Sequence, residues 1–142
     1  MFYYFEPLLL YDELGPLVLR LVLGVAFILH GYPKLTTMRL GFAAWLESLG
    51  IKPGMFWALV VGVVEFFGGI TLVLGAFTQL AALLIAVDML VAITRVKLGK
   101  VRFIELEKSG WELDLMYLAA AVALLFLGGG VYSLDESWQW RY

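Results

Sequence analysis

Few residues of this chain can do acid–base chemistry, and most of them stand in unusual places. Arg20, His30, Lys34, Glu65 and Asp88 lie in or beside long apolar runs, and Glu112 opens another. A charge at the centre of a bilayer costs ~2.5 to 3.5 kcal/mol even on the lenient insertion scale, so several together must face one another or a wet cavity. His30 and Lys34 are four apart and share a helix face. With Glu65 they have the means to hydrogen-bond a ligand carbonyl or to relay its proton. One His and no Cys exclude metal motifs that need two imidazoles, zinc–thiolate and iron–sulfur sites, and disulfide exchange. No metal site is expected.

The elements that carry these groups are built for lipid. Of 142 residues, 63% are apolar with 15 Gly left outside that figure, and only 15% are charged. An ordinary soluble domain is roughly half apolar with Gly included and about a quarter charged. A domain of this length cannot bury so much apolar surface within itself. The apolar residues also cluster, in stretches near the ~20 residues that cross a bilayer. Spans are expected over about 15–32, 55–75, 78–96 and 113–130. A link as short as Ala76 and Phe77 makes the second and third helices antiparallel neighbours. Backbone polar groups in lipid must be satisfied within each segment, and a β-barrel would show shorter, alternating segments. The expected fold is an all-α membrane protein, a four-transmembrane-helix bundle.

In the first loop, Met38, Phe42, Trp45, Leu46 and Leu49 recur at helical spacing, with Arg39, Glu47 and Ser48 between them. This predicts a short amphipathic helix over about 38–49, between the first two spans, either lying flat on the membrane interface or packing over the bundle's end. Glu6, Asp12 and Glu13 precede the first span in place of the basic patch of a secretory signal, so that span is expected to be retained.

Loops one and three hold Lys34, Arg39, Lys52, Arg95, Lys97, Lys100, Arg102 and Lys108, eight of the ten basic residues. By the positive-inside rule those loops face the cytoplasm and both termini face outside. Aromatic belts agree: Phe2, Tyr3, Tyr4, Tyr132, Trp138, Trp140 and Tyr142 mark the outer side, and Tyr32, Trp45, Trp57 and Trp111 the inner. Twelve acidic residues against those ten basic ones leave no basic excess for nucleic acid.

Glu65 and Asp88 each lie about ten residues into their spans, at one depth. Helical side chains lean toward the N-terminus of their helix. Arg20 and Asp88, on helices that begin outside, lean outward and are expected to pair. Glu65 leans inward, toward His30 or Lys34. Ala58, Gly62, Glu65 and Gly69 form one stripe, and Ala81, Asp88, Ala92 and Arg95 another, with small residues that permit close approach. A purely structural account is also open, in which Arg20 snorkels outward and Glu65 bonds a neighbouring helix. At the last helix, Asp114 is expected to cap the N-terminus and Glu112 to extend the polar column from below.

Arg20 with Gly24, Phe27, His30-Gly31 and Lys34; Glu65 with Gly68-Gly69; Leu74-Gly75 turning into Thr78; Asp88; and Gly110-Trp111-Glu112 ahead of Tyr132-Ser133-Leu134-Asp135 together resemble the DoxX family. The likeness runs from about Leu14 to Asp135, so residues 1–142 read as a single domain of that type. It implies a multi-pass protein of a prokaryotic plasma membrane, related to subunits associated with quinol oxidase and thiosulfate:quinone oxidoreduction, or to anchors of redox-protective complexes. The positions it carries over are Arg20, His30, Lys34, Glu65, Asp88 and Glu112. The cysteines used by its thiol-active relatives are absent here.

Three roles are compatible with these features. A membrane subunit of a redox system would hold a quinone or similar apolar ligand in a helix-lined cleft. The chain carries no electron carrier, so a soluble or membrane redox partner at the basic loops would bring it. A non-catalytic anchor or assembly factor would use the polar core only to fix helix register. A small-solute or proton path would run through a homo-oligomer.

Overall fold

The computed structural model describes residues 11–104 and 110–138. Phe2, Tyr3, Tyr4, Glu6, Lys108, Trp140, Arg141 and Tyr142 lie outside the described residues, which are helical and contain no strand. The helices are α1 (Leu14–Leu35), α2 (Arg39–Ser48), α3 (Gly54–Leu74), α4 (Thr78–Val91, wound on through Ala92–Lys97), α5 (Trp111–Leu127) and the short α6 (Leu134–Trp138). Three of these, Leu14–Leu35, Gly54–Leu74 and Thr78–Lys97, are long and apolar enough to cross a membrane. Their outward faces carry Val22, Leu29, Phe67, Leu80 and Val87, all exposed, an apolar surface far beyond what a soluble monomer shows. The α5 helix is 17 residues long and similarly apolar.

The α1 helix runs a turn further than its expected end at Tyr32. Pro33 lies inside it, where the missing N–H frees a carbonyl one turn back, yet the helix continues to Leu35. Thr36 N and Met38 N then bond the Pro33 carbonyl and close the end. The extra turn places Lys34 on the helix rather than in a loop.

The principal interface is between α1 and α3, which run antiparallel. Glycine makes it close. A Cβ on Gly69 would stand 2.6 Å from the Gly24 carbonyl oxygen and 2.7 Å from Ile28 N, and one on Gly31 would overlap the Phe66 backbone. Such small-residue contact lets helices pack by dispersion in lipid, where no hydrophobic force drives them together. Leu72 of α3 joins Leu23 and Phe27 of α1, Ile85 and Met89 of α4, and Ala121 and Leu124 of α5 in one core.

The α2 helix folds back on the start of α3, burying Ala43 and Leu46 against Ala58. Glu47 Oε1 accepts from Gly54 N, the first amide of α3, and satisfies one of its free donors. The α3 helix ends at Gly75, whose φ of 68° is the left-handed conformation that glycine adopts without strain. Asp135 caps the next helix: its two oxygens accept from Phe77 N at 2.6 Å and Thr78 N at 2.8 Å. These bonds hold the start of α6 beside the α3–α4 turn, so both ends of the described chain lie at one end of the bundle.

The last six residues of α4, Ala92–Lys97, wind as a π-helix. An α-helix turns ~100° per residue, and the wider π turn, with its i→i+5 bonds, roughly 80°. The difference accumulates along the segment. Arg95, expected on the Asp88 stripe, is carried off it and is exposed, whereas Lys97 is swung back onto that side.

Candidate functional site

The polar residues divide into two groups at opposite ends of the bundle. Arg20 is buried near the end that holds α6. Its Nη1 donates to the Val73 carbonyl at 3.0 Å and to the Leu72 carbonyl at 3.5 Å, and its Nη2 donates to the Tyr132 carbonyl. The expected pairing of Arg20 with Asp88 is therefore wrong. Arg20 lies six residues into α1 and Asp88 ten into α4, depths of ~9 and ~15 Å at 1.5 Å per residue. A long side chain leaning outward meets the last carbonyls of α3 before it could meet Asp88, and those carbonyls are the negative end of a helix dipole. Arg20 is a clasp between α1, α3 and the turn before α6.

The second group lines a cavity of about 230 Å³ at the other end. From α1 come Phe27, His30 and Lys34; from α3, Trp57, Val61 and Glu65; from α4, Asp88, Ala92 and Lys97; from α5, Asp114 and Tyr117. Phe42, Trp45 and Leu46 of α2 cover it. Lys34 Nζ stands 2.5 Å from Glu65 Oε1 and 5.0 Å from the centre of the Phe42 ring. This is the partner that the opposite leans of the two side chains predict for Glu65. Asp88 faces the same Glu65 carboxyl from α4. Gly68 lies against Ile85 three residues away on each helix, which sets the two acids at one depth.

His30 Nδ1 donates to the Ala26 carbonyl at 2.7 Å. A carbonyl can only accept, so Nδ1 carries the proton and Nε2 is left for another partner. The ring meets Tyr117 edge-on at 5.8 Å. His30 is exposed on the bundle surface, between α1 and α5, which share a much shorter interface than α1 and α3.

Asp114 differs from its expected role as a cap. No side chain caps α5, and Asp114 is buried with Oδ2 2.7 Å from Lys97 Nζ. Lys97 also reaches the Gly110 carbonyl at 3.5 Å. The cavity's polar wall is extended by Asp114, and Glu112, half-buried two residues earlier and so turned to the other side of the helix, does not line it. Sequence reasoning missed Tyr117, which stands one turn beyond Asp114 on the same face, a spacing that could have found it.

Glu65 Oε2 and Asp88 Oδ2 are both buried in this cavity, where the two carboxyls face each other. The described residues hold no group of three side chains arranged to bind a metal ion. The arrangement is an aromatic-walled chamber with convergent donors and acceptors, the usual form of a small-ligand site.

A family model, DoxX, matches residues 15–98. The chain is 31% identical over 123 residues to a Bacillus subtilis protein named "Putative oxidoreductase CatD", covering 87% of this chain and 86% of that one. It is 33% identical over 141 residues to a Mycobacterium tuberculosis protein named as an uncharacterized membrane protein, covering 92% and 86%. A shorter match, 33% over 75 residues, covers 53% of this chain and 55% of the Escherichia coli inner membrane protein YqjF. No solved structure matches.

Proposed function

The chain belongs to the DoxX family of membrane proteins, and on that premise we propose that it is a membrane subunit of a redox system whose cavity binds a quinone or similar small apolar ligand. One observation carries the proposal: a chamber walled by Phe27, Trp57 and Tyr117 into which His30, Lys34, Glu65 and Asp88 all project. Aromatic walls take the ring, and the polar set hydrogen-bonds its oxygens or exchanges a proton with them. Electrons come from a partner, since no electron carrier is known in the chain. The oxidoreductase name of the Bacillus subtilis relative points the same way.

The membrane arrangement belongs to this proposal. With α5 as a fourth span and α2 at the interface, the chain crosses a prokaryotic plasma membrane four times with both termini outside. The cavity then lies in the cytoplasmic half. Arg39, Lys52, Arg95, Lys100 and Arg102 are exposed around that end, a basic rim suited to a soluble redox partner. The same rim favours one other role, a non-catalytic anchor or assembly factor.

The test is isothermal titration of the full chain in lipid nanodiscs with a short-tailed ubiquinone. Saturable binding is expected, weakened at least tenfold by Val61→Trp, which fills the cavity. Absence of binding sinks the proposal. A pull-down of a partner that fails on charge reversal at Lys52, Lys100 and Arg102 but survives Glu65→Gln would favour the anchor.

A further inference from the structure

The long helices associate as two pairs, α1 with α3 and α4 with α5, and the cavity lies in the seam between the pairs. Each pair is tied at the cavity end by its own ion pair, Lys34–Glu65 at 2.5 Å and Lys97–Asp114 at 2.7 Å. At the opposite end the two pairs are joined by the short turn from α3 to α4 and by the core that Leu72 and Leu23 share with Ile85 and Leu124.

Beside the cavity the seam has two edges, and they are closed differently. Across the α3–α4 edge the carboxyls of Glu65 and Asp88 face each other, and Gly68 lies against Ile85. Across the α1–α5 edge no hydrogen bond or ion pair runs among the described residues. Ring contacts close it: Tyr117 meets Phe27 edge-on at 5.3 Å and His30 at 5.8 Å. His30 and Leu113 are exposed on the outside of the bundle and line the cavity on the inside, so the wall there is one side chain thick. Ionisable side chains within spans almost always face the bundle interior or a wet cavity. An exposed His30 at this edge therefore marks an opening rather than plain lipid surface.

From the water side the way is shut. The α2 helix lies over the cavity with Phe42, Trp45 and Leu46. Gly54 N donates to Glu47 and holds α2 to the start of α3, where a Cβ on Gly54 would overlap the Ala43 carbonyl.

We infer that the edge between α1 and α5 is a lateral portal, through which a ring enters the cavity from the membrane while its apolar tail stays outside in lipid; this rests on the ligand class and membrane arrangement proposed above. Size agrees. A dry cavity of about 150 Å³ holds benzene, so a volume of about 230 Å³ takes one substituted ring and leaves no room for a long tail. The ligand class narrows accordingly, to a ring on a long apolar chain dissolved in the bilayer. Trp57 and Val91, exposed at the α3–α4 edge, also line the cavity and define the competing route. A tail laid across that edge would lie against the facing carboxyls, a poor exchange for polar groups.

The test uses a benzoquinone with a photoactivatable diazirine at the start of its alkyl tail, bound to the full chain in nanodiscs, with the labelled residues mapped by mass spectrometry. Labelling that decylubiquinone competes away is expected on exposed side chains of α1 and α5 that flank the portal, among them Leu29, Leu113 and Met116. Competed labelling confined to Trp57, Val91 or α2, or saturable binding with no competed labelling, overturns the portal and leaves the ring site in place. Absence of saturable binding overturns both. Kinetics supply a second measurement, since quenching of Trp45 and Trp57 in the cavity wall reports arrival of the ring. Attaching a benzylthio group through a disulfide at Leu113→Cys should slow association by about tenfold, and reduction should restore it. Association unchanged by that modification overturns the portal.

Discussion

Two adjacent glycines on α3 should respond oppositely to the same small change. A Cβ on Gly69 would sit 2.6 Å from the Gly24 carbonyl oxygen and 2.7 Å from Ile28 N, about 0.8 Å inside ordinary contact at 3.4 Å. Both neighbours are backbone of α1, so no rotamer change relieves the overlap and the helices must move apart. Overpacking of this kind costs ~1 to 3 kcal/mol, offset by up to ~1 kcal/mol because Ala is the better helix former. A Cβ on Gly68 meets only the Ile85 side chain, Cδ1 at 3.4 Å and Cγ1 at 3.6 Å, and fits. Gly68→Ala is therefore expected to be neutral or stabilising by up to ~1 kcal/mol, and Gly69→Ala to destabilise by ~1 to 2 kcal/mol. Thermal unfolding in detergent, followed by tryptophan emission, should separate the two variants by several degrees. The order is the test. If Gly69→Ala melts at or above Gly68→Ala, the close α1–α3 contact is not what holds this bundle together.

Two further outcomes follow from the polar residues. Lys34→Met should cost ~3 kcal/mol by leaving the buried Glu65 charge alone, and adding Glu65→Leu should recover most of it; a double-mutant cycle of unfolding free energies that is simply additive would break the pairing. Because the chain has no Cys, single cysteines report topology without background. Ser137→Cys in intact cells should react with an impermeant maleimide and Lys100→Cys should not, and the reverse pattern would invert the proposed orientation.

The helical character of this chain, three helices long and apolar enough to cross a membrane, and the Lys34–Glu65 contact are legible in the sequence because each depends on short-range facts: run length, a two-residue link and the lean of side chains along a helix. Asp88 beside Glu65 followed from equal depth on neighbouring helices. What escaped was non-local or depended on winding. Arg20 is expected to meet Asp88, whereas its hydrogen bonds go to main-chain carbonyls, which no residue pattern advertises, and the nearby charge is Asp135. Arg95 was placed on the Asp88 face by counting α-helical turns, and a π segment makes that count fail after Val91. Asp114 looked like a cap because it follows a helix start, and only the swing of Lys97 explains why it turns inward instead.

The Arg20 clasp has a consequence for how relatives of this protein should be compared. Its acceptors come from Leu72, Val73 and Tyr132, yet each contributes only a backbone oxygen, which nearly any residue would present equally well. Substitution at those three positions therefore need not be accompanied by a change at Arg20. Methods that infer proximity from correlated substitutions will be blind to these three hydrogen bonds, and only the charge of Asp135 near Arg20 could report the same junction. An arginine held fixed amid drifting neighbours is the signature to expect there.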